Sequence, residues 1–407
     1  MRRKLRSGLL AAAVMAVLSA VPALAAGWTT NSAGKSVYQN DSGTVVTNSW
    51  IKANVNGTTA WYYATSDGSI KTDGWMKINE KYYYFDGSGV MQTGWVDGDN
   101  YYCDPSSGEM KTGWKQLALP SDLTSTGKSS ADTYWFYFNQ RTGEKFHSDG
   151  SYVTTKTIDG IVYGFDENGC MATGWAETES GSPEIAGYMY FAESNVGSFK
   201  MGQRLSNTWY STVGPEDDDN SSSNSDLSTG DVEWFYFKSN GHPAAGSSDV
   251  FDVEKINGKR YLFNSKGNPV YGIQIGTTSE SSESAYYYCG GSKTDCSVRT
   301  GKITLTQDDG DKISCYFSAN GKGYTGLKNN CIYYNGKMQK ADSDLKYQAV
   351  TINGKTYVVN SSGSIMKSKK NAKDGDGNKW STDASGLLSA GSITALELTS
   401  PQTTDIE

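Results

Sequence analysis

The chain has 407 residues, among them 46 Gly, 27 Tyr, 11 Trp and only 8 Pro, with a net charge of -7. So many rings beside 20% charged residues exclude a disordered chain. Gly without a three-residue period, with Pro scarce, excludes collagen. An excess of acid without a basic cluster argues against nucleic acid and anionic lipid as partners.

Residues 1–25 read as a secretory signal: Arg2, Arg3, Lys4 and Arg6 start it, Leu9–Ala20 is apolar, and Ala23-Leu24-Ala25 offers a small-x-small cleavage site. Its removal takes four basic residues and no acidic ones, leaving 33 basic against 44 acidic and a net charge of -11. No second apolar run of membrane-spanning length follows, so the mature chain is expected to be exported without an integral membrane segment. Residues 26–47 read as a lead-in, 48–202 as aromatic-rich repeats, 203–389 as divergent hairpin repeats with polar inserts, and 390–407 as a polar tail.

Three consecutive segments set the repeat: Asn48–Lys71, Thr72–Gln92 and Thr93–Lys111. Each carries a Trp after Gly or Ser, a polar turn, an aromatic run, a Gly turn and an apolar-basic exit. Trp75 to Trp95 is 20 residues and Trp95 to Trp114 is 19. The aromatic run recurs at Trp135–Phe138, Ile161–Phe165, Tyr188–Phe191, Trp234–Phe237, Arg260–Phe263, Tyr286–Cys289, Ser314–Phe317, Ile332–Tyr334 and Tyr357–Val359. Runs of four or five aromatic and β-branched residues, bounded by turns such as Asn257-Gly258 and Asn353-Gly354, predict β-hairpins. A lone hairpin is barely stable, so successive hairpins must stack. The predicted fold is therefore all-β, an elongated solenoid of stacked hairpins with almost no helix.

Four polar inserts, Lys115–Thr133, Ala176–Gly187, Ser211–Glu233 and Gly276–Ala285, fall between the two strands of a unit and so at hairpin tips. The stretch Pro215–Asp231 is the most acidic and suits a solvated loop or a protein partner. Six cysteines, Cys103, Cys170, Cys289, Cys296, Cys315 and Cys331, leave two readings. Export permits disulfides, with Cys289/Cys296 or Cys315/Cys331 near enough in sequence. Alternatively they are core-filling residues, because Cys103 and Cys289 stand where other units have Phe.

At Thr93-Gly94-Trp95, Thr112-Gly113-Trp114 and Thr173-Gly174-Trp175, at Trp61-Tyr62-Tyr63 and Tyr82-Tyr83-Tyr84, and at Val90-Met91-Gln92 and Glu109-Met110-Lys111, the sequence resembles the cell-wall-binding, or choline-binding, repeat family. Later units such as Ile256–Gly267 resemble the repeats of glucan-binding and clostridial-toxin binding regions. The resemblance implies ligand sites between neighbouring repeats, where rings box a quaternary ammonium by cation–π attraction. Carried over, the ring positions are Trp50, Trp61, Trp75, Tyr82, Tyr83, Trp95, Tyr101, Tyr102, Trp114, Trp135 and Trp175. The third unit departs from the pattern, with Asn100 at the first aromatic position. Beyond Trp175 the opening Trp is expected to give way to Ile256, Leu327 or Ile352.

Chemistry is sparse. His147 and His242 are the only histidines and sit near no triad pattern. No HExxH, P-loop or Rossmann fingerprint appears. Asp374-Gly375-Asp376-Gly377-Asn378 has alternate oxygen ligands but lacks the Gly and acid that a calcium loop needs at positions six and twelve. The expectation is a secreted, non-catalytic surface protein, without cofactor or metal, attached to cell-wall teichoic acid or polysaccharide. A carbohydrate-binding module, or a spacer whose inserts contact a protein, are the rivals.

Overall fold

The computed structural model describes residues 26–404, apart from 56, 121–122, 124–131, 182–183, 196, 216–226, 228–229 and 308–309. The signal segment, and most of the acidic insert within Pro215–Asp231, lie outside the described residues. The chain divides into two compact units, Met1–Phe146 and His147–Glu407.

The first unit is five antiparallel hairpins in sequence: β1 Gly27–Thr30 with β2 Ser36–Gln39, β3 Ser49–Val55 with β4 Thr58–Ala64, and β5 Gly74–Ile78 with β6 Lys81–Phe85. β7 Gly94–Val96 with β8 Tyr101–Cys103, and β9 Gly113–Ala118 with β10 Thr133–Phe138, complete it. The stretch read as a lead-in is thus itself a hairpin, with Trp28 paired to Tyr38 across it. Asn79 and Glu80 both take positive φ, the signature of the two-residue turn that matches strand twist.

One register repeats. The residue before the opening Trp pairs with the last residue of the second strand: Ser49 with Ala64, Gly74 with Phe85, Gly94 with Cys103 and Gly113 with Phe138. Strand alternation then sends that last residue inward, and Ala64, Phe85, Cys103 and Phe138 are all fully buried. Each bridges to an exit residue beyond the Gly turn: Ile70, Met91, Met110 and Lys145. The hydrophobic core is accordingly a column, one side chain per hairpin. A fully buried Phe contributes about 2–3 kcal/mol to it.

The second unit continues the scheme with Thr154–Ile158/Ile161–Phe165, Gly174–Glu177/Tyr188–Phe191 and Thr208–Val213/Val232–Phe237. Larger sheets follow. Lys259–Phe263, Val250–Ile256, Ile273–Thr278 and Ser281–Tyr288 form four strands, and the segment from Gly301 to Met338 forms five. The hairpin Tyr347–Ile352/Lys355–Asn360 and a three-stranded sheet ending at Leu388–Gly391 close the unit. Phe165, Phe191, Phe237, Phe263, Cys289, Phe317 and Val359 are the buried residues of the same kind within the second unit. The 3-10 turn Glu184–Gly187 is the one helical element among the described residues. The chain is all-β and built from hairpins, as the alternating aromatic runs require.

Three inserts open at hairpin tips as expected. The fourth also spans a tip but is mostly strand: Gly276–Ala285 turns tightly at Ser279-Glu280, with Thr278 paired to Ser281 and a bulge between Gly276 and Thr278. Its Ser and Glu alternate along an exposed extended strand, which polarity alone reads as a loop. The segment after Gly391 runs back along the second unit. Ala349 exchanges backbone hydrogen bonds with Thr394 and Leu396, Gln348 donates to the Ala395 carbonyl and Gln339 to that of Thr399. Thr404 exchanges bonds with Ile273, and its carbonyl accepts from Gln274. Leu396 and Leu398 pack on the core of Ile332, Val350 and Val359.

Candidate aromatic inter-repeat sites

Each hairpin is tied to its predecessor by one recurrent backbone bond. The exit N–H of Met91 donates to the carbonyl of Trp61, that of Met110 to Tyr82 and that of Lys145 to Asn100, at 2.8, 2.9 and 2.7 Å. This brings three side-chain positions together: the opening Trp and first aromatic of one hairpin, and the exit residue of the next. The turn Gly of each hairpin rests on the exit side chain of the one before. A Cβ on Gly108 would lie 2.4 Å from Met91, and Gly108 has φ +72, so both space and backbone demand Gly there.

The first site holds Trp50, Trp61 and Met91. The two indoles meet edge to face at 6.3 Å, with Trp61 on the rim at 42% exposure. Trp50 also rests on Tyr83 at 4.8 Å and Phe85 at 6.0 Å of the next hairpin. Tyr83 is buried and forms the floor rather than the rim. The second site holds Trp75, Tyr82 and Met110. Trp75 packs on Tyr84 at 5.1 Å and Tyr101 at 4.9 Å, and its indole N–H donates to Asp97 at 3.1 Å. A carboxylate therefore lies beside the rings. Burial raises the Tyr101 hydroxyl's pKa, and the negative charge of Glu144 and Asp97 raises it further. Tyr82 is 41% exposed at the rim.

The third site has Trp95 over Tyr102, Phe136 and Phe138 at 5.3, 5.0 and 5.8 Å. Its other two positions are Asn100 and Lys145, and the Lys145 ammonium stands 5.2 Å from the Trp95 ring centre. Trp114 and Trp135 meet edge to face at 6.4 Å on the last hairpin of the first unit.

In the second unit, Trp175 packs on Tyr190, Phe235 and Phe237 at 5.3, 5.0 and 5.4 Å and lies edge-on to Tyr188 at 6.5 Å. The opening Trp does not end there. Trp209 pairs with Tyr236 in the same register and packs on Tyr261 at 5.1 Å and Phe263 at 5.6 Å. Trp234, 37% exposed, is its first aromatic. Trp209 escapes a search for Gly-Trp because Asn207-Thr208 precedes it, with Asn207 at φ +50. Asn48-Ser49-Trp50 was the available signal, since Asn48 adopts the same conformation. The expected counterparts Ile256 and Ile352 are also displaced. They pair with Lys259 and Lys355 beside the hairpin turns, and the opening positions are Val253 and Ala349.

The exit residues here are Pro243 and Pro269, which lack an N–H. The preceding side chains reach the carbonyls instead: His242 Nδ1 lies 3.2 Å from the Tyr188 oxygen, and Asn268 Nδ2 3.5 Å from that of Trp234. At Ile273 and Ala349, where the opening ring is absent, the returning C-terminal segment takes the position beside the strand.

No disulfide is seen among the described residues, and five of the six cysteines are buried. Cys103 and Cys289 occupy the Phe column, as their alignment implied. Burial pushes the thiols of Cys103 and Cys315 up to about 12. His242 Nε2 stands 3.5 Å from Glu179, and His147 Nδ1 lies 2.8 Å from the Ser148 carbonyl oxygen. Asp374 spends both carboxylate oxygens on Asn378, a self-contained turn. Among the described residues no helix is long and apolar enough to cross a membrane.

Residues 72–113, the hairpins bearing Trp75 and Trp95, match the family model described as choline-binding repeat. Over 247 residues the chain is 26% identical to glucosyltransferase-S of Streptococcus mutans serotype c, covering 60% of this chain and 13% of that protein. Similar solved structures include CbpJ from Streptococcus pneumoniae TIGR4, at 20% identity and TM-score 0.40, covering 84% of this chain and all of that one. Another is the modular autolysin LytC of Streptococcus pneumoniae in complex with a synthetic peptidoglycan ligand, at 19% identity and TM-score 0.40. That likeness covers 78% of this chain and 52% of the autolysin's.

Proposed function

We propose that this chain, which carries choline-binding repeats, attaches without catalysis to cell-envelope polymers that bear ammonium substituents, such as choline-substituted teichoic acid. The observation that carries the reading is the paired construction of the Trp50/Trp61/Met91 and Trp75/Tyr82/Met110 sites. Each sets ring faces beside an exit methionine, whose N–H donates to the Trp61 or Tyr82 carbonyl, and the second adds Asp97 beside its indole. Two ring faces give a desolvated cation roughly 4 kcal/mol in sum, which corresponds to a millimolar site. Several such sites meeting a polymer with repeated substituents raise avidity by about 10²–10⁴.

The reading is tested by washing protein-loaded, choline-bearing walls with millimolar choline. Release of the wild-type chain, with weakened retention of Trp61→Ala and Tyr82→Ala, supports it. Retention unchanged by choline and by both substitutions overturns it. A glycan is the second reading, favoured by the exposed faces of Trp28, Trp61 and Tyr82. It also draws on the likeness to a protein named for glucosyl transfer. Choline-insensitive capture on an insoluble glucan would select it.

A further inference from the structure

The third site of the first unit differs from its two neighbours at both variable positions. Asn100 stands where they carry Trp61 and Tyr82, and Lys145 where they carry Met91 and Met110. The equivalence rests on register, because Lys145 N–H donates to Asn100 as Met91 does to Trp61 and Met110 to Tyr82. Asn100 turns its amide to the Asp97 carbonyl at 3.3 Å, so no second ring closes over Trp95. Lys145 is only 7% exposed, and its Nζ lies 5.2 Å from the Trp95 centroid. A lysine stem is about as long as the Met side chain it replaces, so it follows the same column and delivers an ammonium where the thioether would end.

We propose that Lys145 is a built-in ligand of the Trp95 site, its ammonium occupying the ring face an added cation would take. The first unit would then offer Trp50/Trp61 and Trp75/Tyr82 as open sites and hold Trp95 closed. This rests on the ammonium-binding reading for its consequence, but not for the contact itself. Other lysines of the first unit also approach rings, Lys52 at 5.6 Å from Trp61 and Lys77 at 5.9 Å from Tyr82. Both are exposed, and Lys77 is engaged by Glu80 at 2.5 Å, so water and salt weaken their hold. Lys145 is desolvated, where cation–π attraction is strongest. It is also tethered, so a free ligand of millimolar affinity competes against an intramolecular one.

The test uses the full chain with carbon-13 in its lysine ε-methylenes. One ε signal is expected far upfield, displaced by the Trp95 ring current. It should stay fixed as choline is added, vanish in Lys145→Arg and return to the ordinary position in Trp95→Leu. By equilibrium dialysis, the double variant Lys145→Met with Asn100→Tyr should take one more choline per chain than wild type, and Asn100→Tyr alone none. Absence of a shifted lysine signal, displacement of that signal by choline, or an unchanged stoichiometry in the double variant overturns the proposal. If wild type binds no choline at all, the functional reading fails while the lysine signal still decides whether Lys145 sits on Trp95.

Discussion

At the residue scale the chain uses small side chains where column space is short and rings where it is not. Gly108 illustrates the first. Gly108→Ala forces a Cβ into Met91 at a positive φ and should cost about 1–3 kcal/mol. Thermal melting checks this, with Met91→Ala added to recover the steric part. Cys103 is another small side chain, a thiol in a Phe place. With their ionisation pushed to about 12, Cys103 and Cys315 should resist iodoacetamide at pH 8 until the chain unfolds. Partly exposed Cys331 should label first, as read by peptide mass. The turn carboxylates give a pH dependence. Hydrogen bonds from Ser69 and Thr65 hold Asp67 below the usual carboxylate range, and Lys111 and Ser106 hold Asp104 there. A depressed folded value means that the stabilisation is present above the unfolded carboxylate pKa, about 4. It is lost as pH falls through the lower folded value. Asp67→Asn and Asp104→Asn should therefore flatten the stability slope of the first unit below about pH 4, followed by Trp fluorescence.

At the scale of the hairpin, the sequence was legible wherever local chemistry decides geometry. Asn257-Gly258 and Asn353-Gly354 announced their turns, and the aromatic runs announced the second strands. What stayed hidden depends on register. Ile256 looks like an opening residue, yet it stands beside the turn as Ile78 does, three residues beyond the opening place that Val253 takes. The candidate rings were found through Gly-Trp, and Trp209 was missed because Asn supplies the positive φ that Gly supplies elsewhere. Rim and floor were equally invisible, since Tyr82 and Tyr83 differ only by the alternation of one strand. Substituting them separates the roles: Trp61→Ala and Tyr82→Ala should cost under about 1 kcal/mol of stability while weakening binding, because both rings are half exposed. Trp75→Ala should cost about 3 kcal/mol, because that ring packs into the next hairpin. The Pro exits make another prediction. His242→Ala should cost about 1 kcal/mol, and adding Pro243→Ala should restore part of it by returning a backbone donor. A double-mutant cycle on melting gives the coupling.

At the scale of the whole molecule, the C-terminal segment is the feature that composition conceals. Its polar residues read as a loose end, yet Gln274, Gln339 and Gln348 hold its backbone and two leucines reach the core. Deleting residues 392–407 should lower the melting temperature of the second unit and leave the first unchanged. Limited proteolysis with mass readout would assign the cleavage. An unchanged second unit would show that the segment rides on the surface.

The single backbone bond from each exit residue to the hairpin before it has a consequence for how such chains vary in length. In the first unit a hairpin reads its immediate predecessor through one donor, one Gly and one column side chain, so the joint repeats at Met91, Met110 and Lys145. Excising the 20 residues from Trp75 through Gly94 would bring Trp95 into the place of Trp75 and offer Met110 to the Trp61 carbonyl that Met91 now uses. A deletion of one residue inside a strand of that span would instead turn the rest of that strand's side chains to the wrong face. Whole repeats are the length increments that leave each joint as it is, and on the proposed ammonium-binding reading they would raise or lower ligand capacity one hairpin at a time.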